Sequence, residues 1–77
     1  MNLALLEALN AARAAKQRAC LVRFLTGGNE ALVVAGEVVA GGPLPAALSG
    51  PIEAALRQDR STTVETDAGP AFLQVFN

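Results

Sequence analysis

The sequence contains no histidine, no tryptophan and no tyrosine, and a single cysteine, Cys20. Without histidine, Cys-His activation of a thiol is closed within this chain, and no Cys/His cluster exists to hold a structural zinc. One cysteine forms no internal disulfide, so a reducing, intracellular setting is the default expectation. Charge is also sparse: six Lys and Arg stand against seven Asp and Glu, for a net charge of −1. The basic residues are spread between Arg13 and Arg60. Phosphate-backbone binding needs a concentrated basic face, often with aromatics for stacking, and this composition excludes nucleic acid as a partner. No apolar run approaches the roughly 18 residues of a membrane span. The stretch Met1–Ala15 lacks the charged start and cleavage pattern of a signal peptide. The expected location is cytoplasmic, with no membrane partner.

What is present is a short, alanine-rich, apolar chain. Its 77 residues are 52% hydrophobic, yet Phe24, Phe72 and Phe76 are the only aromatics. That length predicts one domain, residues 1–77, near the lower limit for folding without disulfide or metal. Alanine buries little area, so the core is modest. Such a domain is expected to lean on a partner surface or a neighbouring domain.

Periodicity assigns most of the chain. From about Asn2 to Gln17, Leu5, Leu6, Leu9 and Ala12 recur at helical spacing, with Glu7, Asn10, Arg13 and Gln17 opposite. Arg13, Lys16 and Arg18 suit the carbonyl end of that helix. Ala19–Thr26 reads as a strand, Gly27-Gly28-Asn29 as a hairpin turn, and Glu30–Ala35 as the returning strand. Arg23 and Glu30 face each other across it. Gly36 to Pro45 reads as a glycine-rich strand-to-helix connection. Beyond it, Leu44, Leu48, Ile52, Ala55 and Leu56 repeat at helical spacing. Pro51 leaves two readings: a helix from about Pro45 kinked near Gly50-Pro51, or a main helix starting at Pro51 with Ser49 or Gly50 as N-cap. The favoured form is a helix over Ile52 to Gln58 with a short helical turn before it. Ser61–Thr66 and Ala71–Phe76 read as strands joined by a turn at Asp67–Pro70, the last strand apolar on both faces.

The expected architecture is α+β: a small α-β-β-α-β-β domain with a mixed, mostly antiparallel four-stranded sheet and two helices on one face. One parallel pair is permitted by the helical connection between the two hairpins.

Chemistry is thinly marked. Cys20 reads as a small buried side chain at the start of an apolar strand, with Arg18 nearby as the one feature favouring a thiolate. The carboxylates Glu7, Glu30, Glu37, Glu53, Asp59, Glu65 and Asp67 show no spacing for a shared metal or acid–base pair. Gly36–Pro45 invites a phosphate-cradle reading, since amides at a helix start attract anions. It contains no Lys or Arg and no dinucleotide or P-loop pattern, so a tight turn is the simpler reading.

The run Gly36-Glu37-Val38-Val39-Ala40-Gly41-Gly42-Pro43-Leu44, followed by an alanine-rich helix, resembles the N-terminal domain of the XdhC/CoxI family. That family shows a G-x-x-x-G-G-G-C-[LV]-E kind of segment there. Leu5-Leu6-Glu7-Ala8-Leu9, Cys20-Leu21-Val22-Arg23-Phe24 and the ending Ser61–Glu65 with Phe72–Asn77 add to the likeness. The resemblance implies a non-catalytic accessory role: a chaperone-like factor in the maturation of molybdenum hydroxylases such as xanthine dehydrogenase. It implies molybdenum cofactor as ligand and Gly41 and Gly42 as the cofactor-binding positions. It also implies a Rossmann-like C-terminal domain, which these 77 residues do not include; an excised domain and a shorter relative are both consistent with that. The family's cysteine falls at Pro43 and its acidic residue at Pro45, and its Ser-x-Pro-Arg-like turn is here Gly27-Gly28-Asn29. The alternative expectation is a structural interaction or dimerisation module, homodimeric or packed on a neighbouring domain, with no ligand of its own. An independent enzyme is not expected.

Overall fold

The computed structural model of the chain describes residues 2–76. Helix α1 (Leu3–Ala14) is followed by strands β1 (Ala19–Phe24), β2 (Glu30–Val34) and β3 (Glu37–Gly41). A single 3₁₀ turn (Ala46–Leu48) leads into helix α2 (Ser49–Gln58), and strands β4 (Thr62–Thr66) and β5 (Gly69–Phe76) close the chain. The sheet has five strands in the order β3-β2-β1-β5-β4, and every neighbouring pair is antiparallel. The α+β class stands. The expected four strands are five, and the permitted parallel pair is absent because α2 carries the chain from one edge of the sheet to the other.

The additional strand lies inside the stretch expected to be a connection. Ala35 and Gly36 both take positive φ, 52° and 80°. That is the requirement of a two-residue type I′ turn, which returns the chain tightly along the strand before it. Glu37 therefore pairs with Val34, Val38 with Val33 and Ala40 with Leu32, with an irregularity in register between Leu32 and Val33 that leaves Val39 as the extra residue.

The two helices do not share a face. Side chains alternate across a strand, so Ala19 and Leu21 of β1 with Leu32 and Val34 of β2 meet Leu5, Leu9 and Ala12 of α1. Cys20, Val22 and Phe24, with Val33, Ala71 and Leu73, meet Leu48, Ile52 and Ala55 on the other side. The physical cause is β1 itself. Its first four residues, Ala19 to Val22, are all buried, and a strand apolar at both parities needs cover on both faces.

Both helices end on a non-glycine residue in the left-handed region. Lys16 has φ 57°, with its N–H donated to Arg13 O at 3.0 Å and that of Gln17 to Ala12 O at 2.8 Å. This is the Schellman closure, and it stops α1 before Gln17, the end expected from periodicity. Asp59 has φ 54°, and Arg60 N–H donates to Ala55 O at 3.0 Å. At the start of α1, Asn2 Oδ1 accepts from Leu5 N–H at 2.9 Å, a side-chain N-cap. Pro51 falls in the first turn of α2, where a missing N–H costs no hydrogen bond and causes no kink. Ser49 and Gly50 are helical residues rather than caps.

Candidate functional site

The stretch Gly36–Pro45 borders a hollow of about 510 Å³. It lies on the α2 side of β2 and β3, beside the contact of α2 with β1 and β5; Val33 and Ile52 at its floor are buried, and Val38 of β3 is its exposed wall. Val33, Val38, Leu44, Ile52 and Leu56 make its apolar surface, and Ser49 and Glu53 are the polar side chains at its margin. The volume falls within the roughly 300–1,000 Å³ typical of ligand sites. Along the same edge, Val38 and Val39 are 44% and 49% exposed. A second hollow of about 320 Å³ involves Phe24, Thr26, Asn29, Glu30, Gly42 and Pro43.

The two glycines singled out in the sequence sit at the end of β3, and their geometry is bound up with the backbone. Gly41 has φ 72° and pairs with Ala31; a Cβ there would fall 2.2 Å from the carbonyl oxygen of Glu30. Glycine at this position is a condition for β3 to lie against β2. Gly42 donates its N–H to that same Glu30 oxygen at 3.2 Å, and a Cβ on it would stand 3.0 Å from Val38 Cγ1. The bond between Gly42 and Pro43 is cis. Gly42 lines the smaller hollow, and Gly41 lines neither of the two.

The other candidates fall apart in space or into packing roles. Cys20 is fully buried, and burial pushes its thiol up to about 11. Desolvation alone sets that direction, and Arg18 Nη1 donates to Leu56 O near the end of α2 at 2.8 Å. Glu37 stands exposed at the start of β3. Arg23 Nε donates to Glu30 Oε2 at 3.2 Å, the cross-strand pair expected from the hairpin. Among the described residues no three His, Cys, Asp or Glu side chains converge as metal ligands do.

Of the residues that form the large hollow, Val38 and Leu44 lie in the run that carries the resemblance, but none was read from the sequence as lining a site. Val38 was hidden because its segment carries glycines at both ends, although Glu37-Val38-Val39-Ala40 is β-branched enough to form a strand. Leu44, Ile52 and Leu56 were legible as a helical stripe but not as one only partly covered by the sheet.

No family model matches the chain, and no curated protein or solved structure shows significant similarity to it.

The residues present are a poor fit to the molybdenum cofactor, a pterin bearing a phosphate. A phosphate calls for cations or free amides. The large hollow is lined by aliphatic carbon with Glu53 at its margin, the smaller one holds Glu30, and the Gly42 amide is spent on the backbone.

Proposed function

We propose that this chain is the non-catalytic docking domain of a molybdenum-hydroxylase maturation factor, working in the cytoplasm and contributing to enzyme maturation by engaging the partner enzyme. The XdhC/CoxI resemblance supplies the class. The observation that favours docking over cofactor holding is the apolar hollow between β3 and α2, bordered by the segment that carries the resemblance and free of cations. Such a surface suits protein contact, where aliphatic patches and an exposed edge are the usual currency of recognition.

Titration of the ¹⁵N-labelled domain with molybdenum cofactor separates the two roles. Docking alone predicts no saturable shift of the Gly41 and Gly42 amides. A saturable shift at both, with the groove residues unmoved, assigns these glycines to the cofactor and overturns the docking emphasis. A second reading is a structural interaction module without a molybdenum partner. The exposed Val38 and Val39 on an edge strand favour it equally, and it predicts no response to any molybdenum hydroxylase.

A further inference from the structure

We draw no further inference here: the strongest candidate, the aliphatic groove between α2 and the edge strand β3 with exposed Val38 and Val39 beside it, carries none because nothing in the structure shows what covers it.

Discussion

Positive φ values carry a measurable share of this small domain's free energy. Ala35 and Lys16 occupy the left-handed region, at φ 52° and 57°, which costs a residue with a Cβ about 1–2 kcal/mol. Ala35→Gly and Lys16→Gly are each expected to raise stability by about 0.5–1 kcal/mol, measured by urea denaturation. The glycines divide in the same terms. Gly50 is helical, with open space where a Cβ would stand, and Gly50→Ala should stabilise by about 0.5–1 kcal/mol. Gly41→Ala, with its Cβ driven onto Glu30 O, should cost about 2–4 kcal/mol. Loss of function in that variant therefore reports loss of fold.

Cys20 makes a second residue-scale prediction. Its thiol is raised to about 11 by burial, whereas in the unfolded chain it ionises near its ordinary value of about 8.5. Between those values the unfolded state binds fewer protons than the native one, so stability falls as pH rises through that window. The slope is on the order of 1 kcal/mol per pH unit. It should be absent in Cys20→Ala, and the native thiol should resist iodoacetamide at pH 8 until denaturant is added.

At the scale of elements, periodicity located both helices and four of the strands, because runs such as Leu5–Leu9–Ala12 and Ala19–Phe24 bury a repeating face. It missed β3 because Gly36 was read as loop freedom when it is half of a type I′ turn. A turn of Ala-Gly lacks the Asn or Asp that usually marks such hairpins. The placement of helices was missed for another reason. Which face a helix covers depends on β1 being apolar at both parities, and that pattern was noticed only in the last strand. The two-sided core makes its own prediction. Val34→Ala, beneath α1, and Ile52→Val, on the buried face of α2, should destabilise additively within about 0.5 kcal/mol, since the sheet separates them. Val33→Ala with Ile52→Val, which share one cluster and one hollow, should depart from additivity.

For the molecule as a whole, the helices cover diagonal halves of the sheet. α1 lies over β2 and β3 and α2 over β1 and β5, so part of each face is left without a helix. On the α2 side the aliphatic groove lies between α2 and the edge strand β3. No helix among the described residues is long and apolar enough to cross a membrane. The stretch Gly36–Pro45, singled out in the sequence, borders the hollow of about 510 Å³. Its role as an edge strand and groove border emerged only from the pairing of β3 with β2.

The central claim is that the β3 side of this domain engages a molybdenum hydroxylase. Amide hydrogen exchange of the domain, alone and with cofactor-free xanthine dehydrogenase, tests it most directly. Docking predicts slowed exchange confined to β3, the 3₁₀ turn and the first turns of α2, and no change in β4. Unchanged exchange throughout, or protection confined to β4 and β5, contradicts it.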